Sequence, residues 1–149
     1  MIPNAYPSVC GRSSIFAQDR AQQQAITVVK TCLIVDDSSV IRKVARRILE
    51  RLEFQISEAE DGAQALAICE AALPDAILLD TTMPNMDGFE FLRMLRRMPG
   101  GDRPKVIVCQ VDNDAAQVAR ARHAGADEIL LKPFLRSHVE AKFNAAGLL

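Results

Sequence analysis

No charge of either sign dominates this chain of 149 residues. Its formal net charge is −1, which gives no reason to expect general binding to nucleic acid. No stretch approaches the ~20 apolar residues of a membrane-spanning helix. The four cysteines form no Cys-x-x-Cys pair, and neither histidine has a Cys or acidic partner at ligand spacing, so reduced thiols are expected in place of disulfides or zinc. These absences, with an ordinary 25% of charged residues, favour a cytoplasmic protein that binds partner proteins.

Carboxylates follow two apolar runs at the point where each run ends. Asp36 and Asp37 come directly after residues 33–35, and Asp80 closes residues 77–79, 43 residues after Asp37. Such runs are typical of strands buried on both faces, and the carboxyl ends of parallel strands share the sheet edge where ligands bind. Three like charges at one edge repel one another unless a cation neutralises them. The sequence therefore predicts a divalent metal site made of oxygen ligands.

Amphipathic helices alternate with apolar strands along the chain. From Val40 to Leu52 apolar residues recur at helical spacing opposite a basic face, with Ser38 or Ser39 as the predicted N-cap. The same criteria predict further strands at 54–59, 77–80, 105–111 and 128–131, and further helices at 62–72, 89–98, 115–123 and 137–145. Five strands alternating with five helices favour one doubly wound α/β domain. Its expected five-stranded parallel sheet has the flavodoxin-like order 2-1-3-4-5.

Four motifs occur in order along this chain: LIVDDSSVIRK, LLDTTMPNMDGFEFL, KVIVC and LLKPF. The second and fourth place Asp80 and Lys132 at a separation of 52 residues. In this order and at these separations the motifs resemble the receiver domain of two-component response regulators, the single-domain chemotaxis type in particular. The resemblance covers roughly residues 31–149.

The resemblance implies a phosphoryl-transfer role for two residues. Asp80 would be the phosphoacceptor, receiving a phosphoryl group from a sensor histidine kinase or a histidine phosphotransfer protein. Lys132 would pair with a phosphoryl oxygen as a point charge. The family also implies a cis peptide bond before Pro133, which would fix the backbone of Lys132.

The resemblance implies a Mg²⁺ site as well. Asp37 and Asp80 would bind the ion directly, together with the backbone carbonyl of Thr82. Asp36 would act through water and position the other ligands. Such a set suits Mg²⁺, which prefers a few carboxylates and keeps several waters.

Two positions depart from the family pattern. Gln110 stands at the end of the fourth strand, where the family has Thr or Ser, and Ile129 stands in the fifth, where it has Tyr or Phe. The hydroxyl and the ring ordinarily move together on phosphorylation, so a constitutive binding or scaffold module with a degenerate switch is the alternative interpretation. A phosphatase or phosphotransferase is disfavoured, because Thr82 stands two residues after Asp80 where a general-acid carboxylate would be needed.

The chain divides near residue 30. Residues 1–29 show no sustained apolar period and are expected to form a flexible N-terminal extension, although a gene start placed too far upstream would also explain them. Residues 30–149 would be the receiver domain, with no output domain after the fifth helix. We therefore predict a monomeric response regulator that signals to a downstream protein, with no nucleic-acid or membrane partner. Beyond Mg²⁺-dependent self-phosphorylation and slow self-dephosphorylation it would not be an enzyme.

The first predicted helix has a basic face beside the acidic edge. This face carries Arg42, Lys43, Arg46 and Arg47. A solvated face is the default interpretation. Because the family docks its kinase or phosphotransfer partner there, these cations would instead steer an acidic partner.

Overall fold

The computed structural model describes residues 29–149, in which five strands alternate with five helices. The predicted order of elements is confirmed. Their bounds, in chain order, are β1 Thr31–Val35, α1 Ser39–Arg51, β2 Gln55–Ala59, α2 Gly62–Ala71, β3 Ala76–Asp80, α3 Gly88–Arg97, β4 Lys105–Gln110, α4 Ala115–Ala124, β5 Glu128–Leu131 and α5 Arg136–Ala145.

All five strands are parallel and form one sheet in the order β2-β1-β3-β4-β5, as predicted. Within it β1 and β3 are neighbours, with Val35 opposite Leu79. Because the strands are parallel, the residues that follow β1, β3 and β5 all lie at one edge. This edge is where the order of connections reverses, which is the place where open α/β sheets bind ligands.

Side chains from both faces of the sheet are buried. In β1, Leu33 and Val35 pack on the side covered by α2, α3 and α4, whereas Cys32 and Ile34 pack on the side covered by α1 and α5. This double burial explains why the strand sequences are continuously apolar and do not alternate with polar residues. Cys32, Cys69 and Cys109 are buried, free thiols, as expected, and Cys10 lies outside the described residues.

Some predicted boundaries differ from those observed. The apolar pattern predicts that Phe54 begins a strand, but β2 begins at Gln55. Phe54 follows the turn after α1, where Glu53 has a positive φ of 70°, and its amide donates to the carbonyl of Leu49. Its ring packs edge-on against Phe143 of α5, with ring centroids 5.4 Å apart. Phe54 therefore belongs to the core between helix and sheet without being part of the strand. The apolar pattern alone does not distinguish these two cases.

Two further aspartates cap helices. Asp61 accepts from the amide of Gln64 at the start of α2, and Asp87 accepts from the amide of Glu90 at the start of α3. The expectation for residues 1–28 concerns a segment outside the described residues. Among residues 29–149, no helix combines the length and hydropathy that crossing a bilayer requires.

Candidate functional site

Three carboxylates meet at the edge formed by β1 and β3. Asp36 and Asp37 lie directly after β1, and Asp80 is the last residue of β3. One carboxylate oxygen from each residue lies within 4.8 Å of the others. Asp36 is 3% exposed and Asp80 8%, whereas Asp37 faces solvent. The structure thus brings together the three acidic residues that the strand ends predict.

Lys132 reaches into this acidic cluster from the end of β5. Its Nζ donates to Asp36 Oδ2 at 2.8 Å and to Asp80 Oδ1 at 3.1 Å. The Lys132 amide also donates to the carbonyl of Gln110 at 2.8 Å, and the Lys132–Pro133 peptide bond is cis, as the resemblance implies. A single ammonium therefore bridges two carboxylates that are nearly excluded from water.

The electrostatics of this bridge are unbalanced. Burial raises the pKa of Asp80, the charge of Asp36 raises it further, and these effects outweigh the hydrogen bond from Lys132. Burial is the largest influence on the pKa of Lys132 and would lower it, but the hydrogen bonds to Asp36 and Asp80 and the charges of these carboxylates together outweigh burial, so that pKa is raised. Lys132 therefore stays charged, while ionised Asp80 is held at a cost that an added cation would reduce.

Asp80→Asn is expected to stabilise the metal-free protein at neutral pH. A raised folded-state pKa means that the native protein binds the Asp80 proton more tightly than the unfolded chain does. The penalty is therefore absent in acid, grows as pH rises above the ordinary value of 3.8 and is complete above the raised pKa. In chelator at neutral pH, the variant should therefore melt at a higher temperature than the unaltered chain. Melting curves across this pH range would contradict the account if the gain were already present in acid or were absent at neutral pH.

The loop that carries Asp36 and Asp37 is fixed mainly through Asp36. The Asp36 amide donates to the carbonyl of Ala59 at 3.1 Å, and its Oδ1 accepts from the amide of Ser38 at 2.9 Å. Ser38, and not Ser39, is the N-cap of α1, with its Oγ accepting from the amide of Ile41. Within residues 29–149, Asp37 makes no side-chain hydrogen bond or ion pair. Its carboxylate is therefore available to a ligand.

The donor set of this cluster fits a hard divalent cation. The ligand atoms that its side chains offer are carboxylate oxygens, and two of the three carboxylates are buried. These oxygens lie close enough together to bind one ion. Mg²⁺ takes oxygen ligands and usually keeps several waters, which the exposed side at Asp37 allows. Thr82 lies on the loop after β3 and lines a crevice together with Asp80. The residues present therefore fit Mg²⁺.

A crevice of about 540 Å³ opens beside Asp80 and Lys132. Its wall is formed by the loop after β3, the end of β4 and the exposed face of α4, including Gln117 and Arg120. The guanidinium of Arg120 lies over the ring of Phe89, 4.2 Å from its centroid. The buried carboxylate of Asp80 is thus accessible from one side, with room for a small anionic group next to it.

Two residues depart from the family pattern, Gln110 and Ile129. Gln110 lines this crevice, and Ile129 lies in the hydrophobic core. Gln110 is 5% exposed, and its Nε2 donates to the carbonyl of Gln117 in α4 at 3.2 Å. Its Oε1 is buried without a hydrogen-bond partner. Ile129 is 7% exposed and packs in the core cluster under α2, α3 and α4. The amide donor at position 110 is therefore already engaged with α4, a contact that the sequence did not indicate.

The basic face of α1 differs from the expectation that its cations are free. Arg42 and Arg46 both pair with Glu58 of β2, at 2.9 Å and 2.7 Å. The hydrogen bond from Arg46 is the main reason that the pKa of Glu58 is lowered, with Arg42 adding to the effect. Lys43 and Arg47 form no ion pair within residues 29–149. The positively charged surface available to a partner is therefore smaller than the sequence suggests, because Arg42 and Arg46 are paired with Glu58.

Comparisons with known proteins agree with this architecture. A family model described as the response regulator receiver domain matches residues 32–144. Response regulator MprA of Mycolicibacterium vanbaalenii is 37% identical over 113 residues, covering 76% of this chain and 48% of that protein. MprA of Mycobacterium avium is equally similar, with 49% of its length covered. The chain thus spans about half the length of these curated relatives.

Solved structures with a similar fold include two receiver proteins. Chemotaxis protein CheY4 of Vibrio cholerae superposes with a TM-score of 0.76 at 27% identity, covering 80% of this chain and 99% of that chain. The receiver domain of a sensor histidine kinase from Pseudomonas aeruginosa gives a TM-score of 0.73 at 27% identity, with the same coverage of both chains. In that structure a magnesium ion is coordinated in the active site cleft.

Proposed function

This chain belongs to the receiver domain family of two-component response regulators, and from that premise we propose that it accepts a phosphoryl group on Asp80 and signals by binding another protein. The observation that carries the proposal is the contact between Lys132 Nζ and Asp80 Oδ1 at 3.1 Å, beside an open crevice. A nearly buried carboxylate with a cation at one oxygen and open space beside it suits a nucleophile whose product is an anion.

The transfer would proceed by displacement at phosphorus. A carboxylate oxygen of Asp80 attacks the phosphoryl group of a phosphohistidine, the P–O bond forms as the P–N bond breaks, and the imidazole leaves with the electron pair. Lys132 then pairs with an oxygen of the transferred group, since its ammonium already lies at the acceptor carboxylate. The product is a mixed anhydride of Asp80 and phosphate.

Mg²⁺ would be held by Asp37, Asp80 and the backbone carbonyl of Thr82, with Asp36 acting through water. When bound there, Mg²⁺ would neutralise negative charge that otherwise repels the anionic donor. This role is supported by the unfavourable environment of Asp80, where burial and Asp36 together raise the pKa despite Lys132.

The partners and cellular site follow from this assignment as further proposals. The donor would be a sensor histidine kinase or a histidine phosphotransfer protein, and the output would be a protein target. We propose further that the chain acts as the chemotaxis type does, which its four motifs resemble, and that it works as a monomer in the cytoplasm. Receiver domains are generally not true enzymes, and self-phosphorylation with slow self-dephosphorylation would be the only chemistry here.

A small acyl phosphate provides the direct experiment. Intact-mass analysis of the full chain, incubated with the donor and Mg²⁺, should show the gain of one phosphoryl group. The gain should disappear in chelator, because the cluster then lacks the cation that admits an anionic donor. A phosphoryl yield that does not depend on Mg²⁺, or the absence of any gain in its presence, would contradict the proposal.

A second candidate function is a constitutive binding module, and Gln110 is the observation that favours it. Its Nε2 donates to the carbonyl of Gln117, so α4 is already joined to the end of β4 without a phosphoryl group. Ile129 has no polar tip that could follow a phosphoryl contact. In this alternative the surface around α4 and β5 has one conformation, and phosphorylation changes it little.

The double variant Gln110→Thr with Ile129→Tyr should enlarge the response of that surface to a phosphoryl mimic. A ligand shifts a two-state equilibrium only by its differential interaction with the two states, and a hydrogen bond to a charged group is worth about 1.5–3 kcal/mol. Amide NMR shifts across α4, β5 and α5 would measure the response. Val111→Thr is the control, because residue 111 is 78% exposed and its hydroxyl would lie outside the buried position. If the amide shifts of the unaltered chain were already as large as those of the double variant, the constitutive module would be excluded.

A further inference from the structure

An arginine of α1 holds the peptide group between Asp36 and Asp37. Arg42 Nη1 donates to the carbonyl oxygen of Asp36 at 2.7 Å, and its Nε donates to Glu58 Oε1 at 2.9 Å. The Arg42 side chain is only 11% exposed, so its guanidinium is packed between the loop after β1 and the strand β2. We propose that Arg42 is a positioning residue for the metal site, orienting Asp37 toward the cation through the Asp36 carbonyl. The inference rests on the Mg²⁺ site proposed above.

Asp37 depends on this backbone contact more than its neighbour does. Asp36 is fixed by Lys132 and the Ser38 amide through its carboxylate, and by the Ala59 carbonyl through its own amide. Within the described part of the chain, no side chain contacts the Asp37 carboxylate by a hydrogen bond or ion pair. The backbone therefore fixes the direction of the Asp37 Cα–Cβ bond, from which the carboxylate reaches toward the cation. The peptide plane that Asp37 shares with Asp36 is held at its oxygen by Arg42.

A cation this close to a metal site would weaken metal binding if its charge were not compensated. Two carboxylates offset it, since Glu58 pairs with Arg42 through Oε1 and with Arg46 through Oε2, and Glu60 lies 3.6 Å from Arg42 Nη2. The planar guanidinium is suited to this geometry, because it donates in one direction to the loop carbonyl and in another to the carboxylate. Glu58 thus anchors Arg42 to the sheet and limits its repulsion of the bound ion.

Arg46 offers a matched control on the same helix. It pairs with the same carboxylate at 2.7 Å and with Glu50 at 3.1 Å, and none of its hydrogen bonds reaches the loop after β1. Arg42→Met should weaken Mg²⁺ binding by roughly tenfold, the lower end of the usual loss when a residue that supports a metal ligand is removed. Arg46→Met should leave the affinity within about twofold of the unaltered chain, because it removes a nearby charge but no contact to the ligand loop.

The measurement is the Mg²⁺ affinity of the full chain, from amide NMR titration or calorimetry, without any phosphodonor. Arg42→Lys separates charge from geometry, because a lysine keeps the cation but cannot donate to the carbonyl and Glu58 as a fork. It should remain clearly weaker than the unaltered chain. Should Arg42→Met fail to fold, Arg42→Lys carries the test.

Three outcomes would overturn the inference: unchanged affinity in Arg42→Met, equal losses in the Arg42 and Arg46 methionine variants, or full affinity in a folded Arg42→Lys. The proposed function fails independently, if the unaltered chain binds Mg²⁺ but gains no phosphoryl group. A tenfold difference in Mg²⁺ affinity would stand even in that case, so the two failures are distinguishable.

Discussion

Asp80→Asn is expected to abolish phosphorylation completely, while leaving the fold intact. The amide occupies the same space and its oxygen can still accept the hydrogen bond from Lys132, but it cannot form the mixed anhydride. Intact-mass analysis with a small acyl phosphate and Mg²⁺ should show no phosphoryl gain, against a full gain for the unaltered chain. The loss is a loss of the nucleophile and not of stability, because the same substitution is expected to raise the melting temperature of the metal-free protein.

Asp87→Asn is the matched control for this substitution. Asp87 lines the same crevice and accepts from the Glu90 amide as the N-cap of α3, a role that asparagine also performs. Its phosphorylation should equal that of the unaltered chain. Retained phosphorylation in Asp80→Asn, or equal losses in the two variants, would show that Asp80 is not the acceptor.

Asp37→Asn and Lys132→Ala should separate metal binding from phosphoryl stabilisation. Removing the charge of Asp37, the exposed carboxylate without a side-chain partner in the described structure, should abolish measurable Mg²⁺ binding. Lys132→Ala should bind Mg²⁺ at least as well as the unaltered chain, because the ammonium competes with the ion for Asp36 and Asp80.

The same lysine variant should be phosphorylated slowly. A hydrogen bond to a charged group is worth about 1.5–3 kcal/mol, so the loss of Lys132 should reduce the rate by roughly tenfold to hundredfold. The rate is measured by intact mass over time at saturating Mg²⁺. If Asp37→Asn and Lys132→Ala bound Mg²⁺ equally well, the division of roles between the two residues would be wrong.

The order of elements and the acidic cluster were predictable because they depend on amphipathic helices and on continuously apolar strands. Residues 33–35 and 77–79 are apolar on both faces, which identifies central parallel strands, and neighbouring central strands bring Asp36 and Asp80 together. The position of Lys132 directly after the fifth strand was equally informative, since its long side chain spans the distance to the cluster. The fold and the proximity of these residues therefore follow from sequence pattern and motif order.

The contacts that support the cluster were not predictable in the same way. The pairing of Arg42 with Glu58 requires knowing that residue 58 of β2 points toward α1, a choice that depends on the position of the strand at the edge of the sheet. The hydrogen bond from Gln110 to the Gln117 carbonyl depends on a side-chain rotamer and on the approach of α4. Both contacts arise from tertiary packing between two elements, which the spacing of apolar residues along the chain does not record.

Mapping the phosphoryl group on the full chain tests the central claim most directly. Acyl phosphates react with hydride to leave a stable modified residue, so peptide analysis after phosphorylation and reduction identifies the acceptor. The account predicts modification at Asp80 alone, present with Mg²⁺ and absent in chelator. Modification at Asp36, Asp37 or any other residue, or modification of Asp80 that is equally strong without Mg²⁺, would contradict it.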